Sequence, residues 1–149
     1  MQYNPKDYNP AMHDKFFALT VKQPYASKLA LGQKKIEVRS KNTTYRGDLL
    51  ICSSQKPIID GCISGATLGL VELYDVKPIS EFTEDDWDAT RIDLETRAKI
   101  KGGWGWLVRN PRPVIEFPIK GQLGIYSLIY TKDTIIPYPT RIKLERTDY

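Results

Sequence analysis

The chain has 149 residues, of which 41% are hydrophobic and 27% are charged, and its formal net charge is +4. This length predicts one domain, and this composition excludes a mostly disordered chain. No apolar run approaches the roughly 20 residues of a membrane-spanning helix, and the N-terminus lacks the apolar segment of a secretion signal. Because the only cysteines are Cys52 and Cys62, we expect a cytoplasmic protein without membrane contact or disulfide framework.

Few residues of the chain suit metal or triad chemistry. The single histidine is His13, and the sequence contains no paired-cysteine motif and no phosphate-binding glycine loop. Zinc sites and histidine-dependent nucleophiles are therefore not expected. We predict no metal and no cofactor.

The charge is divided between two segments. Residues 22–46 contain seven basic side chains and one acidic side chain, whereas residues 72–95 contain nine acidic and two basic ones. A concentration of positive charge attracts phosphates, so the first segment is expected to face a nucleic acid. The acidic segment would face away from it or contact a protein partner. The alternative for both segments is an ordinary solvated surface.

The first part of the chain predicts an arm, a strand and a helix. Residues 1–14 are polar and contain two prolines, which predicts a loose arm. The apolar run 16–21 predicts a buried strand. Pro24 suits the first turn of a helix, and Gly32 suits the position after its end.

Two further strands follow. Residues 34–40 alternate between apolar and polar side chains, which places Glu37 and Arg39 on the same face. Residues 49–54 begin with four consecutive apolar residues and predict a strand that is buried on both faces.

The second half of the chain mixes strands with short helices. Thr83, followed by three acidic residues, is typical of a helix N-terminus. We predict strands at 67–76, 104–110 and 124–130, a helix starting at 83 and a short one near 92–100. Pro111 and Pro113 are expected to end the strand before them.

Because strands dominate, we predict an α+β domain, a small mixed β-barrel with short helices capping its ends. The barrel domain would span 15–131, after the arm of 1–14. Residues 132–149 would form an edge strand or a tail.

Three segments carry a family resemblance: ALTVKQPYASKLALGQKKIEVRS (18–40), YRGDLLICSS (45–54) and WLVRNPRPVIEFPIKGQLGIYSL (106–128). In this order and at these separations they resemble the ASCH domain of the PUA-like superfamily. The resemblance implies a barrel with a cleft that binds RNA, often at modified bases. Some small ASCH proteins hydrolyse the acetyl amide of acetylated cytidine. Their catalytic lysine matches Lys34, and where they have a threonine three residues later this chain has Glu37.

The candidate binding residues combine hydrogen-bonding, basic and aromatic side chains. Glu37 offers acceptors and Arg39 a planar fork of donors, a combination that suits a nucleobase edge or a phosphate. The alternative is that this pair only locks the fold. The other candidates lie at the strand–helix junction, in turns, or as rings for base stacking, and the full set is Lys22, Gln23, Glu37, Arg39, Tyr45, Arg46, Trp104, Lys120 and Gln122.

The leading hypothesis is a module that binds single-stranded or modified RNA, or a nucleoside. The alternative is an enzyme, with Lys34 and Glu37 as catalytic residues, acting as an amidohydrolase on acetylated cytidine or as a weak ribonuclease. We expect Glu37 to keep Lys34 protonated, which favours binding over hydrolysis. A protein adaptor that uses residues 72–95 is the third hypothesis.

Overall fold

The structure is a computed structural model that describes residues 2–136. Within this range it contains nine regular elements, with short 3-10 turns at Pro5–Asp7 and Ile79–Glu81. The strands are β1 (His13–Val21), β2 (Ile36–Arg39), β3 (Gly47–Ser53), β4 (Thr67–Pro78), β5 (Trp104–Pro113) and β6 (Ile125–Thr131). The α-helices are α1 (Tyr25–Ala30), α2 (Glu84–Ala89) and α3 (Leu94–Arg97). No helix in the described range is long and apolar enough to cross a membrane.

The six strands form one sheet in the order β2-β5-β4-β3-β1-β6. Only β1 and β3 are parallel, and the other neighbours are antiparallel. A parallel pair needs a crossover connection, and here residues 22–46 make it and include α1 and β2. The α+β prediction is confirmed. The predicted barrel is not, because the end strands β2 and β6 are not hydrogen bonded to each other in the described residues.

The sheet is covered on both faces by separate apolar clusters. In β3, Leu50 and Cys52 belong to one cluster, while Leu49 and Ile51 belong to the other. Alternate side chains of a strand point to opposite faces, so an unbroken apolar run requires a cover on each side. Leu29 of α1 lies in the second cluster. The prediction of a strand buried on both faces is confirmed.

The prediction that the fifth strand ends at residue 110 is wrong, because β5 continues through Pro111 to Pro113, which is its last residue. Its pairing with β4 shifts register between Leu70 and Glu72, opposite Arg112 and Arg109. Two residues of β5 therefore face one of β4, which is a bulge. Pro111 lies in this bulge, where no amide hydrogen is needed for the ladder.

The N-terminal residues are attached to the sheet, which differs from the expected loose arm. Gln2 pairs with Tyr130, and the amide of Tyr3 donates to Ile129 O at 2.9 Å. His13 is buried at the start of β1, with its ring centroid 4.5 Å from that of Tyr3. The predicted tail of 132–149 lies outside the described residues after position 136.

One buried hydroxyl yields a stability prediction. Among the described residues, the Tyr130 hydroxyl has no hydrogen-bond partner, although Tyr130 is only 1% exposed. Burial raises the pKa of Tyr130 to about 12. An unpaired buried polar group costs about 1–3 kcal/mol, so Tyr130→Phe is expected to leave the free energy of unfolding unchanged or raise it. Tyr126→Phe is the matched control. Its hydroxyl lies 2.6 Å from Thr20 Oγ1, and its loss should cost about 1 kcal/mol.

Urea unfolding of both variants measures the difference. A loss of more than about 1 kcal/mol in Tyr130→Phe would contradict the prediction and indicate a buried partner for the hydroxyl.

Candidate functional site

A cleft of about 810 Å³ opens where β1 ends, beside α1 and β2. Residues 120–124 form its opposite rim. Its polar and charged lining residues are Thr20, Lys22, Tyr25, Lys34, Glu37, Arg39, Ser54, Gln55, Lys120 and Gln122. Six of the predicted site residues therefore meet in one cavity: Lys22, Lys34, Glu37, Arg39, Lys120 and Gln122.

A chain of three charged groups forms the inner wall of the cleft. The Nζ of Lys34 lies 3.6 Å from Glu37 Oε1, and the Nε of Arg39 lies 3.0 Å from Glu37 Oε2. Glu37 is buried, and its strand β2 pairs it with the buried Trp106 of β5. One carboxylate thus stands between two cations at the edge of the core.

Lys34 is the most deeply buried of these groups, with 1% of its surface exposed. Its ammonium donates to Thr90 O and lies 4.9 Å from the centre of the Tyr25 ring. Burial lowers the pKa of Lys34 below its ordinary value of 10.5, and this effect exceeds the opposite effect of the Glu37 charge. The expectation that Glu37 keeps Lys34 protonated considered only the carboxylate. The cost of burying the ammonium acts on this pKa in the opposite direction and is the larger of the two effects.

Arg39 is fixed in place but keeps donor capacity. Its Nη2 donates to Thr20 O at 2.9 Å. Its buried Nε contacts Glu37 without the alignment of a hydrogen bond, and it has no other partner among the described residues. A guanidinium has five N–H donors, so Arg39 can donate to a ligand in the cleft.

Close packing determines where the rim segment 120–124 approaches β1. A Cβ atom at Gly121 would lie 2.7 Å from Thr20 Cγ2, so only glycine fits without displacement of the segment. The Thr20 hydroxyl is held 2.6 Å from the Tyr126 hydroxyl. This contact places Lys120 and Gln122 on the rim opposite β2.

The family comparison agrees with this arrangement. The model of the ASCH domain matches residues 19–117. The chain belongs to the ASCH domain family. The resemblance seen in the sequence is thereby confirmed, and of its motif residues Tyr25, Lys34, Glu37 and Arg39 line the cleft.

One relative and two solved structures are similar over most of the chain. Activating signal cointegrator 1 of Homo sapiens is 30% identical over 135 aligned positions, which cover 75% of this chain and 22% of that protein. This chain therefore spans about a fifth of that relative's length.

The crystal structure of ASCH from Zymomonas mobilis has a TM-score of 0.61 at 9% identity, covering 87% of this chain and 93% of that one. A tyrosine-to-phenylalanine mutant of the same protein has a TM-score of 0.61 at 10% identity, covering 89% and 98%. At these identities the similarity shows the fold.

Four predicted binding residues do not line the cleft. Gln23 is buried, and its amide bonds Ser27 and Ile63 O. Tyr45 and Arg46 lie beyond β2, where the Tyr45 hydroxyl donates to the Asp48 backbone oxygen at 2.7 Å and the Arg46 guanidinium donates to backbone carbonyls.

Trp104 packs half-buried against the second apolar cluster. It was predicted as a ring for base stacking, but it pairs with Pro78 of β4. Trp106 of the same strand is buried.

Several lining residues lay outside the predicted set. Thr20, Ser54 and Gln55 carry no sequence signal for a site, because hydroxyl and amide side chains are common on surfaces. Tyr25 follows Gln-Pro in the first motif segment, but the predicted set does not include it. The apolar lining residues Ile92, Ile100 and Leu123 come from distant parts of the chain.

Several carboxylates of the acidic segment 72–95 form ion pairs or helix caps within the protein. Asp86 pairs with Lys77 at 2.6 Å and completes a capping box with Thr83, and these bonds lower the pKa of Asp86. Asp93 caps α3, and Glu72 pairs with Arg109. The confirmed helix start at Thr83 accounts for the acidic run there. A protein partner for this segment remains a prediction, and so does the cytoplasmic localisation of the protein.

The lowered pKa of Lys34 predicts a specific pH dependence. The unfolded chain binds the Lys34 proton more tightly than the folded chain does. The free-energy cost of burying the charged amine is therefore complete at low pH and disappears as the pH rises towards 10.5. Relative to Lys34→Met, the wild-type free energy of unfolding should therefore increase between pH 7 and pH 10. Urea unfolding at several pH values measures this difference, with Lys99→Met at an exposed lysine as the matched control. A difference that stays constant or shrinks would contradict the assignment.

Proposed function

We propose that the cleft of this ASCH domain binds an unpaired base of single-stranded RNA, either standard or modified, or the corresponding nucleoside. The observation that carries this proposal is the side-by-side placement of the Glu37 carboxylate and the Arg39 guanidinium in the cavity. Such a pair supplies acceptors and donors at neighbouring positions. Every nucleobase presents donors and acceptors along its edge.

The electrostatic balance of the cleft supports an anionic ligand. Four basic residues line it, Lys22, Lys34, Arg39 and Lys120, and Glu37 is the carboxylate among its lining residues. Lys22 and Lys120 are exposed at the mouth. They are therefore placed to contact phosphates while the buried groups contact the base.

The size and walls of the cavity also suit a nucleoside. Ligand pockets are typically about 300–1,000 Å³, and this cleft of about 810 Å³ falls in that range. The Tyr25 ring lies in its wall. An aromatic ring beside hydrogen-bonding groups is the usual arrangement for an unstacked RNA base.

We predict that Glu37→Gln weakens RNA binding by about 1–3 kcal/mol, because the substitution removes a charged acceptor from the base edge. Fluorescence anisotropy with a labelled ten-nucleotide RNA of mixed sequence measures the affinity. Affinity of the wild type should fall linearly with salt on logarithmic axes. Lys22→Ala and Lys120→Ala should each reduce that slope by about one if each contacts a phosphate.

Glu72→Gln is the matched control for the carboxylate, because Glu72 forms an exposed pair with Arg109 outside the cleft. It should leave the affinity unchanged. Equal binding by wild type and Glu37→Gln, or no binding of any RNA at low salt, would refute the proposal.

A second candidate function is the hydrolysis of an acyl amide on a modified nucleoside, or weak RNA cleavage. It is favoured by the buried Lys34, whose lowered pKa brings its amine closer to the range of a general base. Glu37 lies 3.6 Å from the same amine. One observation argues against this candidate. Position 37 holds a carboxylate where the ASCH hydrolases have a threonine hydroxyl, so this chain could not use the same mechanism as those hydrolases.

We predict little turnover of acetylated cytidine relative to Lys34→Ala, because Glu37 has no hydroxyl and could act only by a different mechanism, as a base for water. Chromatography of the nucleoside after incubation measures deacetylation, and gel analysis of a labelled RNA measures cleavage. Wild-type turnover that is lost in Lys34→Ala would instead establish the enzyme.

A further inference from the structure

A second surface, outside the cleft, consists of exposed aromatic rings beside a lysine. The rings of Tyr8 and Phe17 are 38% and 37% exposed, and the Nζ of Lys15 lies 5.8 Å and 5.2 Å from their centres. The Tyr45 ring lies 5.0 Å from that of Phe17. We call Tyr8, Lys15, Phe17 and Tyr45 the aromatic platform.

The fold explains why these side chains meet. On one side of Phe17, β6 offers only the small side chain of Ser127. On the other side, the pairing of β1 with β3 begins only at Ala18 and Leu50. Tyr45, in the segment before β3, packs beside the Phe17 ring, and the Lys15 Nζ lies over that ring. Among the described residues these contacts leave Phe17 37% exposed.

The platform carries positive charge. Within residues 2–136, neither Lys15 nor Arg46, which follows Tyr45, has a carboxylate within 4.0 Å of its cationic nitrogens. The nearby carboxylate of Asp48 is occupied by Arg112, at 2.9 Å and 2.7 Å. Exposed rings beside free cations match a ligand with flat faces and negative charge.

The platform and the cleft lie along the same two elements of the chain. Phe17 and Val21 point to the same face of β1, and Val21 lines the cleft. At about 3.3 Å per residue they are about 13 Å apart. Tyr45 follows β2, which carries Glu37 and Arg39 into the cleft. A short extended polymer with one unit in the cleft would therefore reach the platform.

We propose that the aromatic platform stacks the bases of single-stranded RNA next to the nucleotide held in the cleft. This inference rests on the proposed function, since it assigns the path of the same RNA. Unpaired bases stack on aromatic rings without regard to sequence, and cations beside the rings attract the backbone. A base-paired duplex has no free base faces for this surface, so the platform selects single strands.

The test uses two probes that separate the surfaces. A labelled ten-nucleotide RNA of mixed sequence is long enough for both, whereas the four 5′-mononucleotides fit the cleft alone. Phe17→Thr should weaken binding of the ten-mer about tenfold, the effect of one lost stacked base, and leave mononucleotide binding unchanged. Phe17→Tyr should bind as the wild type, and Lys15→Thr should reduce the salt slope of the ten-mer by about one.

Tyr74→Thr is the matched control. Its ring is 39% exposed and lies 4.4 Å from the Arg109 guanidinium carbon, but it belongs to neither the platform nor the cleft. It should change neither probe. A 2-aminopurine in the ten-mer reports stacking directly, because its fluorescence is quenched when the base stacks.

Each outcome decides a separate point. The platform proposal is overturned if Phe17→Thr and Lys15→Thr bind the ten-mer with the same affinity as the wild type. It is also overturned if these substitutions weaken binding of a duplex and of a single strand equally. Should Phe17→Thr fail to fold, Lys15→Thr and the 2-aminopurine signal still decide it. If Arg39→Gln leaves mononucleotide binding unchanged while the platform variants weaken the ten-mer, the cleft proposal fails and the platform stands. If the wild type binds neither probe, both are refuted.

Discussion

The burial of one carboxylate between two cations is the constraint on which the candidate site depends. Glu37 contacts Lys34 and Arg39 through its two oxygens. Removing the Glu37 carboxylate would leave the buried Lys34 ammonium without its charged partner, which is more costly than the net worth of the intact set. Lys34 also needs the backbone oxygen of Thr90, which links β2 to the end of α2. The charged wall of the cleft and the helical segment behind it therefore support each other.

The sheet topology explains why this charged set is next to an open space. β1 and β3 are parallel neighbours, so the chain must leave the sheet after β1 and return. The crossover places α1 over one apolar cluster and sends β2 to the far edge, beside β5. The end of β1 and the start of the crossover are left facing β2. A cavity remains between them, since no strand or helix of the described chain fills this gap.

Along β1, some side chains hold the cleft rim in place and others are exposed for contact with a ligand. The hydroxyl pair of Thr20 and Tyr126 and the close approach of Gly121 hold the cleft rim against β1. In the middle of β1, Phe17 is partly exposed because its neighbouring strands cover it only in part. One strand thus carries residues of a hydrogen-bonding cavity at its end and an exposed aromatic side chain at its middle. This arrangement suits an extended ligand that follows the strand.

Local sequence patterns determined the elements and the chemistry, whereas the tertiary structure decided the neighbours. Alternation over 34–40 placed Glu37 and Arg39 on one face, and the Thr83 cap marked a helix start, because both signals depend on residues a few positions apart. The path of β5 through its prolines could not be predicted, since it depends on a bulge opposite β4. Likewise, only the packed chain shows that Trp104 is half-buried. The lowered pKa of Lys34 also depends on the packed chain, because the cost of burying its ammonium comes from residues far away in the sequence.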